Sequence, residues 1–174
     1  MTATIRIKFD AIEMMLYFWD SIAQREKVGE DYLREVAALE DMKYLYSNEF
    51  NEESIRKVLS AISNRELLNN ATKKERKFWN YNMWMLEDLG FMNMMVSPVK
   101  TLNLDDIKDR LGKEGKHDEY EVVFIPGHEE EYYTDGNKLI INFFKIVVDL
   151  YEEGKITIAE KPFKEYIVER LINL

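Results

Sequence analysis

His117 and His128 are the only two histidines in the sequence, and acidic residues follow each of them. Zinc and non-haem iron sites combine one or two imidazoles with carboxylates from neighbouring elements. The sequence therefore offers one candidate metal site, with His117, His128 and Glu130 as ligands and zinc or iron as the cofactor. The spacing of the two histidines fits no established ligand motif, so we expect a solvated acidic loop with no cofactor, and the metal site stays open as the alternative.

The segment His128-Glu129-Glu130-Glu131-Tyr132 follows the register of the H-E-x-x-H zinc helix, but Tyr132 stands where the second imidazole is needed. The segment also follows Pro126-Gly127 and precedes a turn-rich stretch, so we do not expect it to be helical. No serine lies in a G-x-S-x-G motif, and the glycines within residues 112–116 lack phosphate-loop spacing. No catalytic residue is therefore assigned, and the sequence favours a protein that is not an enzyme.

Five methionines lie within residues 83–95, beside aromatic side chains. Methionine side chains are flexible, so they fill irregular cores and also form adaptable surfaces for partner peptides. Because we expect the helical period to end near Leu89, the residues that follow it are predicted to be partly exposed. The candidate partner-binding residues are Phe91, Met92, Met94 and Met95, and core filling stays open as the alternative.

The chain carries 33 acidic and 24 basic side chains, a formal net charge of −9. Residues 1–102 contain 16 acidic and 14 basic groups, whereas residues 103–174 contain 17 and 10. Nucleic-acid binding needs clustered cations, so this composition argues against it. The cations within residues 73–77 and the aromatic residues after them are better explained as two faces of one helix. The acidic second half favours a protein partner with a basic surface.

Cysteine is absent from the sequence, which excludes disulfides, thiolate nucleophiles and thiolate metal ligands. No segment approaches the roughly 18 uninterrupted apolar residues of a membrane-spanning helix. The first nine residues alternate polar and apolar positions and lack the apolar region of a secretory signal. We therefore expect a cytoplasmic protein that does not bind a membrane.

Periodicity and turn chemistry predict the elements that position these residues. The first half is predicted to hold a strand over residues 2–9 and four helices, with Asn51 and the Thr72–Glu75 pair as caps. The helices are expected over 11–24, from 30 to 45, after residue 51 and over 72–90, and residues 91–102 are expected to form loop and irregular strand. The later elements are expected to be a short helix after 103, strands over 121–125 and 155–159, a hairpin over 130–142, a helix (or strand) over 143–153 and a helix over 163–173.

These elements predict an α+β fold in a single domain over residues 1–174. Residues 10–90 form the helical half and residues 91–174 the strand-rich half. The amino-terminal helical layer is predicted to pack on a small, mostly antiparallel sheet from the second half. A hydrophobic content of 46% suffices for a buried core, whereas 7 glycines and 3 prolines are too few for an all-β architecture of many tight turns.

Three segments carry a resemblance to a known family: FDAIEMMLYFWDSI, LREVAALEDMKYLYSNEFNEESIRKVLS and the closing helix FKEYIVERLINL. In order and texture the first half resembles the amino-terminal region of zinc-dependent peptidases of the zincin type. The resemblance implies a region that precedes the H-E-x-x-H helix and helps to wall the substrate groove. That motif is missing from this sequence, so no catalytic residue is carried over.

The sequence thus predicts a non-enzymatic, intracellular protein-interaction or regulatory domain. The alternative is a metallohydrolase-like protein, or the groove-forming amino-terminal part of a zinc-peptidase-like protein without its catalytic motif. The two hypotheses differ in whether the histidine and acidic loops hold a metal. The sequence leaves the identity of the partner and the oligomeric state open.

Overall fold

The computed structural model describes residues 2–127 and 129–174. The chain divides into two compact units: a helical unit of Asp10–Asn93, and a strand-rich unit formed by the first nine residues with Met94–Leu174. The fold is α+β, and most of the helices precede most of the strands, as the sequence predicts. The single domain, and the packing of a helical layer on the sheet, stay predictions.

The helical unit begins with α1 (Asp10–Ala23), α2 (Glu30–Ala38), a 3-10 helix (Glu40–Leu45), α3 (Glu52–Asn64) and α4 (Lys73–Glu87). Two predicted caps are confirmed: Asn51 accepts a hydrogen bond from the Ser54 N–H at 3.1 Å, and Thr72 and Glu75 form a reciprocal capping box. The helix predicted from 30 to 45 is interrupted, because the backbone of Leu39 leaves the helical region (φ −57°, ψ 136°).

Residues 91–100 are helical, so the prediction of loop and irregular strand over 91–102 is wrong for all but the last two residues. Helix α5 spans Leu89–Lys100, and the side chain of Asp88 caps it by accepting the Phe91 N–H at 3.0 Å. Gly90 was expected to end α4, whereas it lies in the first turn of the next helix. Pro98 lies inside α5, where it removes one backbone donor without ending the helix.

The core of the helical unit contains one fully buried polar pair. Trp19 Nε1 donates to Asn82 Oδ1 at 2.8 Å, and Asn82 Nδ2 donates to the Phe78 carbonyl at 2.8 Å. The rings of Phe50 and Phe78 meet edge to face with centroids 5.2 Å apart. These contacts tie α1 to α4 and leave both polar groups of the Asn82 amide hydrogen-bonded.

The described part of the strand-rich unit forms two sheets. The first contains β1 (Thr4–Lys8), β2 (Glu119–Ile125), β3 (Tyr132–Asp135) and β4 (Lys138–Asn142), in the order β1-β2-β4-β3. The second contains β5 (Val147–Val148), β6 (Ile156–Ile158) and β7 (Lys161–Pro162), all antiparallel. The unit also holds a 3-10 helix (Asp105–Ile107), α6 (Lys108–Glu114) and α7 (Phe163–Ile172). Along residues 2–127 and 129–174, no helix has the length and apolar composition needed to cross a membrane.

The larger sheet is mixed, whereas the sequence analysis expected one sheet of mostly antiparallel strands. Strands β1 and β4 both run parallel to β2, and only β3 pairs antiparallel, with β4. The buried run Val122–Ile125 in β2 is typical of a strand that is covered on both faces, as parallel strands are. The predicted hairpin is confirmed in the β3–β4 pair, whose turn holds Gly136 at φ +61°.

The helix predicted over residues 143–153 does not form. Asn142 does act as a cap, because its side chain accepts the Phe144 N–H at 3.0 Å, but only a 3-10 turn (Phe143–Lys145) follows. The β-branched pair Val147–Val148 then extends into β5, and Gly154 adopts φ +80° in the turn that leads to β6. Residues 149–155 therefore connect two short strands and lie outside any helix.

Candidate functional site

His117 lies just before β2, at an open cavity of about 450 Å³ that Asp118, Glu119 and Asn137 also line. Its backbone N–H donates to the Tyr120 hydroxyl at 3.2 Å, and its imidazole meets the Tyr120 ring edge-on at 5.5 Å. Asn137 Nδ2 donates to the Glu119 carbonyl at 3.0 Å, which ties the hairpin turn to the start of β2. The imidazole is thus held in place beside two carboxylates.

The predicted metal ligands are only partly placed by the structure. Glu130 is exposed and is not among the residues that line the His117 cavity. His128 lies outside the described residues. Among the residues that are described, no three His, Asp or Glu side chains converge as a metal site would require. The site of His117, His128 and Glu130 stays a prediction.

The four predicted partner-binding residues separate by burial. Met92 and Met95 are 2% and 0% exposed, so they fill the interior and their partial exposure is a wrong prediction. Helix α5 explains this, because its period turns these two side chains inward. Met94 is 41% exposed, and the half-buried Phe91 ring lies 5.1 Å from the ring of Trp84. Of the four, only Phe91 and Met94 remain accessible to a partner.

The most exposed apolar side chains of the strand-rich unit lie in a segment to which the sequence analysis assigned no function. We call residues 149–153 the acidic loop. Tyr151 is fully exposed and Leu150 is 67% exposed, although each would stabilise the fold if it were buried. Asp149, Glu152 and Glu153 flank both residues in the sequence. This solvent-exposed Leu150–Tyr151 pair, flanked by acidic residues, is the basis for the function proposed below.

Backbone hydrogen bonds hold the acidic loop in one conformation. Asp149 Oδ1 accepts the Tyr151 N–H at 2.8 Å and the Glu152 N–H at 3.0 Å. These two donors hold the pKa of the Asp149 carboxyl below its usual value. The Asp149 N–H donates to the Lys155 carbonyl at 3.1 Å, which closes the loop. The loop therefore presents Leu150 and Tyr151 on a preformed turn.

Sequence reasoning missed the acidic loop because it assigned residues 143–153 to a helix. In a helix, the 3.6-residue period alone would decide whether Leu150 and Tyr151 are buried or exposed. The sequence nevertheless contains a turn signal. Aspartate at the start of a turn accepts backbone N–H groups two and three residues later, and Gly154 follows shortly after Asp149. No family model, no curated protein and no solved structure matches the chain.

Proposed function

We propose that this protein is a non-enzymatic, cytoplasmic protein-interaction or regulatory domain, and that the acidic loop is its partner-binding element. The observation that carries the proposal is the exposed pair Leu150 and Tyr151 on a hydrogen-bonded turn. A partner with an apolar pocket would remove both side chains from water. Tyrosine is among the residues enriched at the energetic centres of protein interfaces.

Two effects favour partner binding by the acidic loop: the burial of its apolar side chains and the preorganisation of its turn. Burying a leucine or a large aromatic side chain contributes about 1.5–3 kcal/mol each. The two Asp149 hydrogen bonds already restrict the loop, so less conformational entropy is lost when a partner binds. A turn of this kind can therefore support useful affinity from a small contact area.

The charge of the loop selects the kind of partner. Asp149, Glu152 and Glu153 flank the apolar pair in the sequence, and Lys155 Nζ already lies 3.4 Å from a Glu152 carboxylate oxygen. A basic rim around the partner's pocket would complement these carboxylates and accelerate association. A rim of aspartate or glutamate would be repelled. We therefore infer a partner whose apolar pocket is bordered by lysine or arginine.

Replacing both Leu150 and Tyr151 with serine is expected to weaken partner binding about 100-fold, because both apolar contacts are lost. The test is capture from an extract of native cells, followed by calorimetry on the protein that wild-type bait retains. Leu67 and Tyr17 are exposed in the helical unit, so the variant with serine at these two positions is the matched control and should bind normally. Equal affinities for the two double-serine variants would disprove the role of the loop.

Charge reversal measures the contribution of the acidic side chains to binding separately from that of Leu150 and Tyr151. With lysine at both Glu152 and Glu153, the loop becomes net positive beside a basic rim, so the association rate measured by stopped flow should fall, and added salt should raise it rather than lower it. Asp149 is left unchanged in this variant because it holds the turn.

Met94, in the strand-rich unit, is a second candidate for the same function, and Phe91, in the helical unit, is a third. Phe91 pairs with Trp84, which is 40% exposed. In the same calorimetry, Met94→Ser should leave the affinity unchanged if the acidic loop is the binding element. A large loss from Met94→Ser with none from the loop variant would transfer the function to α5.

A metallohydrolase-like protein, or the groove-forming part of a zinc-peptidase-like protein, is the alternative function. It is favoured by one observation: His117 lies in an open cavity with the carboxylates of Asp118 and Glu119. Elemental analysis of untagged protein discriminates between the hypotheses, because a resident zinc or iron ion should be retained near one equivalent per chain. Metal-free protein whose melting temperature is unchanged by added zinc would rule this alternative out.

A further inference from the structure

Strand β1 pairs with β2 along one edge. On its other edge the Ala3 N–H donates to the Lys108 carbonyl at 3.1 Å, so the open edge is confined to Ile5 and Ile7. The Thr4 N–H donates to the Asp118 carbonyl at 2.9 Å, so the backbone groups of Thr4 and Arg6 face β2. Because these groups alternate along a strand, the N–H and C=O of Ile5 and Ile7 point away from β2. In the part of the chain that the structure describes, the sheet order places no strand on that side of β1.

A groove of mixed polar and apolar lining runs beside this edge. A cavity of about 230 Å³ is lined by Ile5, Ile7 and residues 102–105, of which Leu102 and Leu104 are apolar and Asn103 and Asp105 are polar. Ile5 and Ile7 are both half-buried. Asp105 also lines the groove, but its carboxylate lies 2.7 Å from Lys108 Nζ, which balances its charge. Unpaired backbone groups beside apolar pockets are what an extended peptide needs to add as a further strand.

The other face of β1 sets the charge of such a peptide. The Arg6 side chain is 71% exposed and lies 4.0 Å from Glu121, whose other oxygen is closer to Lys138, at 3.4 Å. Arg6 is therefore only weakly paired with Glu121 and is accessible to a further carboxylate. A strand added at this edge would place one side chain directly beside Arg6, where aspartate or glutamate is favoured.

The same charges argue against a second copy of this chain as the occupant. Antiparallel pairing of two β1 strands centred on Arg6 would oppose the two guanidinium groups. Centring the pair on Ile7 would oppose Arg6 and Lys8. Centring it on Ile5 would require the Ala3 N–H, which already donates to the Lys108 carbonyl. Like charges directly opposite each other destabilise a strand pair, and edge cations are a common device against self-pairing.

We propose that the open edge of β1 binds an extended segment of a partner protein in which apolar residues alternate with acidic ones. The apolar side chains lie over Ile5 and Ile7 and in the groove beside Leu104, while an acidic side chain pairs with Arg6. The backbone N–H and C=O groups of Ile5 and Ile7 continue the ladder into the bound strand. This site is separate from the acidic loop and does not rest on the function proposed for that loop.

The probe is the fluorescent peptide Val-Glu-Val-Glu-Val-Glu-Val, and its control has lysine in place of glutamate. Fluorescence anisotropy with the full chain should show binding of the glutamate peptide at least about tenfold tighter than that of the lysine peptide. Arg6→Glu should reverse this preference. Arg110→Glu changes an exposed arginine outside the groove and should alter nothing.

Ile7→Pro tests the backbone contacts. The Ile7 N–H faces the open edge, so proline removes a donor that β2 does not use, and binding should fall by about tenfold or more. If thermal unfolding shows that Ile7→Pro is not folded, the reversed peptide preference of Arg6→Glu is the deciding measurement. The proposal is overturned by equal affinity for the two peptides, by an unchanged preference in Arg6→Glu, or by a wild-type dimer that Ile7→Pro dissociates.

Discussion

Replacing Asn82 with leucine is expected to lower the free energy of unfolding by about 3 kcal/mol. Asn82 is fully buried and accepts a hydrogen bond from Trp19 Nε1, while its own amide donates to the Phe78 carbonyl. Leucine can do neither, so the buried Trp19 N–H loses this acceptor at a cost of about 1–3 kcal/mol. The Phe78 carbonyl keeps its helix bond and loses one further hydrogen bond, which contributes about 0.5–1.5 kcal/mol. The apolar side chain recovers only part of that loss.

Thermal unfolding measures this effect. For a chain of this size, the expected change corresponds to a melting temperature about 6–12 °C lower. Asn80→Leu is the matched control, because Asn80 lies on the same helix with its side chain exposed. That control should change stability by no more than about 0.5 kcal/mol. Indistinguishable melting curves for the two variants would show that the Asn82 hydrogen bonds do not contribute as argued.

Replacing Gly115 with alanine is expected to cost about 3 kcal/mol in the strand-rich unit. A Cβ at this position would lie 2.0 Å from the Tyr120 hydroxyl oxygen and 2.7 Å from the Leu111 carbonyl oxygen. Tyr120 is 1% exposed, so its ring has little room to move. Displacing that ring would also remove the hydroxyl that accepts the His117 N–H, which should disturb the nearby cavity.

Gly29→Ala is the control for the alanine substitution. Its Cβ would meet nothing within 4 Å, and the backbone at Gly29 (φ −69°, ψ 154°) suits any residue. Its stability should stay within about 0.5 kcal/mol of wild type. Urea titration followed by tryptophan fluorescence and far-UV circular dichroism gives both values. A Gly115→Ala midpoint equal to that of Gly29→Ala would contradict the steric explanation.

The features that the sequence predicted correctly depend on residues a few positions apart. The Asn51 cap, the Thr72–Glu75 capping box and the glycine turn of the β3–β4 hairpin each form within about four residues, so their signals are legible in the sequence. The parallel pairing of β1 with β2 was not predicted, because Thr4 and Glu119 are far apart in the chain. Periodicity identifies strands but does not choose their neighbours.

The candidate sites were harder to predict, because exposure depends on tertiary structure. Met92 and Met94 are the same residue type in the same methionine-rich segment, yet Met92 is buried and Met94 is exposed. The exposure of Leu150 and Tyr151 was not predicted, because the Asn142 cap predicts a longer helix than the 3-10 turn that follows it. The chain instead turns at Asp149, whose side chain competes for the backbone N–H groups.

Photo-crosslinking from position 151 tests most directly whether the acidic loop binds a partner. Full-length protein carrying p-benzoylphenylalanine in place of Tyr151, and separately in place of Leu67, is irradiated in native cells. We predict one adduct of defined mass from position 151, absent at position 67, and abolished when Leu150 is also replaced with serine. No adduct from position 151, or the same adducts from both positions, would contradict the proposed function.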